Sequence, residues 1–195
     1  MNNILNLLTQ DERKYLRKAN VNKGQMLFHE DENCQEVGMV ENGELEIVSY
    51  TKEGGEIIYR KITSGMMFGN NLIFSSDTSY KGNVIAKTDS LIYFIKKDNL
   101  IQIFRQNTHF LLEFLKYQSD MGKELNAQIK LLTISNAEQR FFYFAHLNNN
   151  VIRYKTITSL AASIYLQRET LSRLITKLEK ENKIIRRHKV IKIVI

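Results

Sequence analysis

The stretch TITSLAASIYLQRETLSRLITKLEKEN, Thr156–Asn182, reads as two short helices joined by a turn near Tyr165. Thr156 is the expected N-cap of the first, and Leu160, Ala161 and Ile164 give it a narrow apolar face at helical spacing. The second begins about Gln167 and runs past Leu178, with Leu171, Leu174, Ile175 and Leu178 on one side and Arg168, Glu169, Ser172, Arg173 and Thr176 on the other. Small residues at Ala161 and Ala162 let the helices approach closely, which a helix-turn-helix requires if its second helix is to enter a DNA major groove. Arginine can grip guanine O6 and N7 with two donors, and glutamate accepts from cytosine N4. Arg168, Glu169 and Arg173 are therefore the expected base readers.

A lone R-E-x-x-x-R is also what an ordinary solvated helix face carries, so the charge distribution has to decide. From Arg153 to Ile195 there are eleven Lys or Arg against three Glu, a net of +8, whereas Met1 to Ile152 carries seventeen against eighteen, a net of −1. The whole +7 excess thus belongs to the last segment, the footprint of a nucleic-acid-binding module. IIRRHKVIKIVI after the second helix predicts a β-hairpin turning near His188-Lys189. Phosphate contacts are assigned to Thr156, Gln167, Thr170, Arg186, Arg187 and Lys189, with Lys155 flanking the same groove.

RETLSRLITKLEKENKI, with LAASIYL before it, resembles the helix-turn-helix signature of the CRP/FNR family of bacterial transcription regulators, and Arg168, Glu169 and Arg173 fall on that family's base-reading positions. The resemblance implies an α+β fold: a cyclic-nucleotide-binding-like antiparallel β-roll over residues 1–107, a dimerisation helix and hinge over 108–134, and a winged helix-turn-helix over 135–195. It also implies a cytoplasmic homodimer on a near-palindromic double-stranded DNA operator with half-sites similar to TGTGA. RNA polymerase and an unidentified small-molecule effector are the further partners it implies. Tyr165 departs from the pattern, since most members have a glycine at that turn; a tyrosine in a left-handed conformation is strained, so the turn is expected to be built differently or the helix pair re-angled.

From Gly24 to Lys97, short alternating apolar runs between turn residues predict antiparallel strands: GQMLFHE, VGMVENGELEIVSYT, EIIYRKI, NVIAKT and SLIYFIKK. Asn42-Gly43 and Gly54-Gly55 read as hairpin turns between them. The order of these strands resembles the family's β-roll. Members that bind cyclic AMP present a glutamate from the loop matching Phe68–Leu72, then an arginine and a small hydroxyl residue for the cyclic phosphate. Here those positions carry Asn70, Tyr80 and Lys81, so Gly69, Asn70, Asn71, Tyr80 and Lys81 outline a pocket that is altered or vacant with respect to cyclic AMP. A one-residue shift would put Lys81 in the arginine's place, but lysine lacks the planar fork.

Ile4 to Ala19 predicts an amphipathic helix or helix pair, with Thr9 and Glu12 spaced as a capping box. Asp98 opens a short helix. Thr108 is the expected N-cap of a longer one to about Leu132, in which Leu111, Leu115, Gln118, Gly122, Leu125, Ile129 and Leu132 alternate four- and three-residue steps. That seam holds a period of 3.5 and predicts a coiled coil between two copies, the alternative being a core-facing stripe widened by Phe114 and Met121. By the resemblance, Gly122 also lies near where effector-binding members place a hydroxyl residue. Ser135 with Glu138 marks the next helix, whose Phe141, Phe142, Phe144 and Leu147 are expected in a core, and the hinge falls at Thr133 to Asn136.

One cysteine, Cys34, leaves no internal disulfide and no multi-thiolate cluster or zinc site, so no cofactor or metal is expected. His29 and Cys34 form a weak candidate metal or redox pair against the plainer reading of a buried thiol and a solvated imidazole. No segment approaches the length of apolar chain that crosses a bilayer, and the first residues do not read as a signal peptide. G-x-x-x-x-G-K-[ST], H-E-x-x-H and G-x-S-x-G are absent, which argues against an enzyme. A DNA-binding regulator whose roll senses an effector other than cyclic AMP is the first reading; an effector-independent regulator with the roll as scaffold is the alternative.

Overall fold

The structure, a computed structural model, describes residues 4–51 and 53–194. Contacts divide the chain into two compact units, Met1–Ser119 and Asp120–Ile195. The first unit opens with a 3-10 turn, Ile4–Leu7, and one turn of helix α1, Gln10–Arg13. The predicted capping box is present: Thr9 Oγ1 accepts from Glu12 N at 3.2 Å and Glu12 Oε2 accepts from Thr9 N at 2.8 Å. The expected helix does not continue to Ala19, because Arg17–Val21 is strand β1, paired along its whole length with Ser90–Lys96, strand β8. Long-range pairing here overrides a local helical pattern.

The remaining strands of this unit are β2 (Met26–Phe28), β3 (Glu36–Asn42), β4 (Glu44–Tyr50), β5 (Glu56–Thr63), β6 (Met67–Phe68) and β7 (Asn83–Ala86). They form two four-stranded antiparallel sheets, ordered β1-β8-β3-β6 and β2-β7-β4-β5. The Gly54-Gly55 turn joins paired strands, with Tyr50 opposite Glu56. Asn42-Gly43 does not, since β3 pairs with β8 and β6 while β4 pairs with β5 and β7. This dipeptide is a corner where the chain passes from one sheet to the other. Gly43 has φ +105°, and a Cβ there would lie 2.1 Å from Ser90 Oγ, so the corner admits no side chain.

Inward-facing Leu45, Val48, Ile62, Val84, Ala86, Ile92 and Ile95 are buried, as are Leu100 and Ile103 of helix α2 (Lys97–Gln106). Burying apolar area in this way supplies the main stabilisation. Glu46 of β4, on the opposite face from Leu45, is also buried and is reached by Lys61 at 2.9 Å and Lys87 at 3.0 Å. Burial pushes its carboxyl pKa up, but hydrogen bonds and charge from the two ammonium groups outweigh this and hold it below the usual range. The carboxylate's contribution is therefore full above the ordinary carboxyl value and is lost as pH falls through the lowered one.

Helix α3 runs Thr108–Thr133. Its cap is Asn107 rather than Thr108: Asn107 Oδ1 accepts from Phe110 N at 2.9 Å. In the second unit, helix α4 (Ala137–Leu147) is capped one residue later than expected, by Asn136, whose side chain accepts from Gln139 N at 3.0 Å. After α4 come strand β9 (Val151–Arg153), helices α5 (Ile157–Ser163) and α6 (Arg168–Lys180), and the hairpin β10 (Ile184–Arg187) and β11 (Val190–Ile193). The hairpin turns at His188-Lys189 as read, and β9, which the sequence had not marked, completes a sheet ordered β10-β11-β9. Among the described residues, no helix is long and apolar enough to cross a membrane.

Candidate functional site

The second unit's core is Phe141 and Ala145 of α4, Ile152 of β9, Leu160, Ala161 and Ile164 from the first helix of the pair, and Leu171, Leu174, Ile175 and Leu178 of α6, closed by Ile184 and Ile191 of the hairpin. Each apolar residue that defined the two helices in the sequence is buried. The spacing leaves Arg168, Glu169, Ser172, Arg173 and Thr176 exposed on the opposite face of α6. Arg168, Glu169, Ser172 and Arg173 line one shallow surface depression. A second depression continues along the helix through Thr176, Lys177, Lys180 and Glu181, so Lys177 and Lys180 extend the cationic surface beyond the residues singled out from sequence.

Thr156 caps α5 through a reciprocal box with Ser159, accepting from its amide at 3.0 Å while Ser159 Oγ accepts from the Thr156 amide at 3.2 Å. Gln167 caps α6 without a side-chain hydrogen bond and is exposed, as is Thr170 in the first turn. The turn between the helices takes the left-handed form despite its tyrosine: Tyr165 has φ +54°. The Tyr165 amide donates to Ala162 O at 3.2 Å and the Leu166 amide to Ala161 O at 2.9 Å, the paired closure that ends a helix with one left-handed residue.

On α4, Glu138 reaches Lys177 of α6 at 2.8 Å and Lys183 at 3.1 Å, which hold its carboxyl below the usual range. The capping box expected of Ser135 and Glu138 is not formed, the N-cap being Asn136. Arg186 faces Glu179 of α6 at 3.3 Å and so ties the hairpin to the helix, whereas Arg187 and Lys189 stand exposed at the hairpin's tip and Lys155 is exposed before α5.

In the β-roll, the Tyr80 ring is 1% exposed and stacks on Phe28 with centroids 4.9 Å apart, and Phe28 in turn contacts Phe68 and Phe94. Burial pushes the Tyr80 hydroxyl pKa far up, with the buried Cys34 thiol beside it. Gly69, at φ +74°, passes so close that a Cβ would lie 2.9 Å from Cys34 Sγ and 3.1 Å from the Tyr80 hydroxyl. Asn70 is 1% exposed and exchanges two hydrogen bonds with Gln118 of α3: its Nδ2 donates to Gln118 Oε1, and Gln118 Nε2 donates to its carbonyl, each at 2.6 Å. Asn71 is exposed. Lys81 points to solvent, held by Asp77 at 2.6 Å and Ser79 at 2.7 Å. Gly122 is exposed, and a Cβ on it would meet nothing within 4 Å. His29 is exposed while Cys34 is buried, its thiol donating to Glu36 O at 3.3 Å.

Along α3, Leu115, Leu125, Ile129 and Leu132 are each half or more exposed, and Leu112 joins them. Leu111 is partly buried and Gln118 is engaged with Asn70.

Residues 18–107 match the family model of the cyclic nucleotide-binding domain, and that segment is a domain of this kind. The anaerobic regulatory protein of Bacillus subtilis (strain 168) is 23% identical over 117 residues, 60% of this chain; the chain spans about half the length of that relative, 49% of which is covered. Among solved structures, a CooA variant from Carboxydothermus hydrogenoformans has a TM-score of 0.66 at 17% identity, covering 98% of this chain and 90% of that one. The Thermus thermophilus catabolite activator protein has a TM-score of 0.58 at 16% identity, covering 98% and 93%. The chain accordingly shares the fold of these solved structures, with residues 18–107 similar to a cyclic nucleotide-binding domain.

A non-glycine residue in the left-handed region costs roughly 1–2 kcal/mol, and the Tyr165 side chain is largely exposed. Tyr165→Gly is therefore expected to raise the stability of the second unit by about 0.5–1 kcal/mol, part of the gain being lost to the freer unfolded chain. Denaturant unfolding checks it, the expected outcome being a higher midpoint at unchanged slope.

Proposed function

We propose that this protein is a sequence-specific DNA-binding transcription regulator that acts as a homodimer on a near-palindromic operator. The observation that carries the reading is the α6 surface. Arg168, Glu169, Ser172 and Arg173 share one exposed face of a helix whose other face is buried, in a segment of net charge +8. Arg168, Glu169 and Arg173 read base edges. Thr156, Gln167, Thr170, Lys155, Arg186, Arg187 and Lys189 flank them as phosphate contacts, Arg186 lying one residue behind Arg187 on the hairpin. On this reading residues 135–195 are a winged helix-turn-helix, 108–134 the dimerisation helix and hinge, and 1–107 the β-roll. The exposed Leu115, Leu125, Ile129 and Leu132 support a partner helix against α3, since an apolar line of this kind is unfavourable in water. Two such subunits place their recognition helices in successive major grooves about 34 Å apart. RNA polymerase is the further partner such a regulator addresses.

The roll does not bind cyclic AMP on this reading. Tyr80 occupies the position of the phosphate-gripping arginine and lies within an aromatic cluster, and Asn70 stands where a ribose-binding glutamate is expected. The same two observations also suit the effector-independent version, in which the roll is scaffold: its loop is tied to α3 directly through Gln118. The alternative retains a sensing role for an effector of different chemistry. Mass spectrometry of small molecules released on denaturation separates the two.

Arg173→Ala is expected to cost about 1–3 kcal/mol on the specific site and to relax the preference at one base pair. Arg187→Ala is expected to weaken all sequences alike and to lower the salt slope by about one. Selection from a randomised operator library at two salt concentrations measures both, and an unchanged preference in the Arg173 variant would rule out α6 as the reader. Leu125→Glu places two like charges in the seam and is expected to give a monomer in sedimentation; a persisting dimer would put the interface elsewhere. Calorimetric titration with cyclic AMP is expected to give no binding heat at micromolar nucleotide, and saturation there would overturn the closed-pocket reading.

A further inference from the structure

Arg140, on the second turn of α4, carries three hydrogen bonds, all to carbonyl oxygens rather than carboxylates. Nη1 donates to Tyr165 O at 2.7 Å, Nε donates to Ile134 O at 2.8 Å, and Nη2 donates to the same Ile134 oxygen. Ile134 closes the last turn of α3, its amide donating to Lys130 O at 3.1 Å. Tyr165 is the left-handed residue that ends α5. One guanidinium therefore sits at the negative ends of two helix dipoles and satisfies a carbonyl at each, an arrangement that favours a cation. The planar fork makes both contacts at once, which a single ammonium cannot do with the same geometry.

We propose that Arg140 is a positioning residue that locks the strained turn of the helix pair to the last turn of α3, so that the aim of α6 is set from the hinge. A glycine would adopt the left-handed conformation unaided. A tyrosine needs its carbonyl held, and Arg140 supplies the hold. Two residues earlier on α4, Glu138 holds the far part of α6 through Lys177, while Arg140 holds the turn that precedes α6. The consequence for DNA rests on the DNA-binding reading above; the lock itself does not.

The test is Arg140→Lys in the full chain, followed by amide hydrogen exchange and by binding to an operator selected by the unaltered protein and to random duplex. The amides of Tyr165, Leu166 and Ile134 should lose protection together, by about tenfold, while the buried Ile175 amide of α6 keeps its own. Operator affinity should fall by about tenfold with binding to random duplex unchanged. Adding Tyr165→Gly should restore the turn's protection, because glycine no longer needs the hold, while the operator affinity stays reduced, because the tie to Ile134 is still cut. Unchanged exchange at the turn and Ile134 would overturn the proposal. So would a uniform loss of protection across residues 137–194, which marks a merely stabilising contact, or failure of Tyr165→Gly to rescue the turn. Should the unaltered protein bind no DNA, the regulator reading fails while the exchange result still decides the lock. Should exchange respond while operator affinity holds, the lock stands and its control of α6 is refuted.

Discussion

Burial of one side of α6 is the constraint on which the second unit depends. Leu171, Leu174, Ile175 and Leu178 occupy consecutive three- and four-residue steps, and all are taken up by α4, α5 and the hairpin. The remaining positions of a rigid helix then have nowhere to point but outward, which fixes Arg168, Glu169 and Arg173 side by side on one face. The polar surface is the geometric complement of the apolar one. Its energetic support comes from elsewhere: Phe141 and Ala145 fill the space beneath, and Glu138, Glu179 and Glu181 neutralise the basic residues that hold the helix in place.

The β-roll follows a different logic. A two-sheet roll leaves an interior, and here that interior is occupied by side chains. Tyr80 stacks on Phe28, Phe68 and Phe94 pack edge to face, and Asn70 is bonded to the long helix. Ring contacts of this kind add to area burial. The loop that carries Asn70 is thus held by packing and by two direct hydrogen bonds, so the coupling between loop and helix is built into the chain.

Much of this was legible in the sequence because it rests on short-range periodicity. The α6 face, the Thr9–Glu12 box and the hairpin turn at His188-Lys189 each depend on residues a few places apart, whereas Tyr165 takes the left-handed turn that its side chain argued against. Two caps were displaced by one residue, at Asn107 and Asn136, since an asparagine next to a serine or threonine offers two good caps and only the backbone path decides between them. Asn42-Gly43 was misread for a deeper reason: two alternating strands joined by two residues look alike whether they pair with each other or enter different sheets. The role of Arg140 had no sequence signal, because its partners are main-chain oxygens six and 25 positions away and a carbonyl carries no residue-type signature.

The filled roll also bears on how such a protein can change over evolutionary time. An arginine introduced at position 80 would enter a space walled by Phe28 and its aromatic neighbours, where an unpaired guanidinium is strongly disfavoured. A smaller side chain there would leave a void beneath Gly69 and cost several kcal/mol of core packing, about 3–5 for loss of a large aromatic. An anion-gripping interior is therefore not reached by a simple exchange at position 80, since either an arginine or a smaller side chain there disturbs the packing around Tyr80. The occupied core acts as a ratchet, whereas the exposed side of α6 is free to vary without disturbing buried packing.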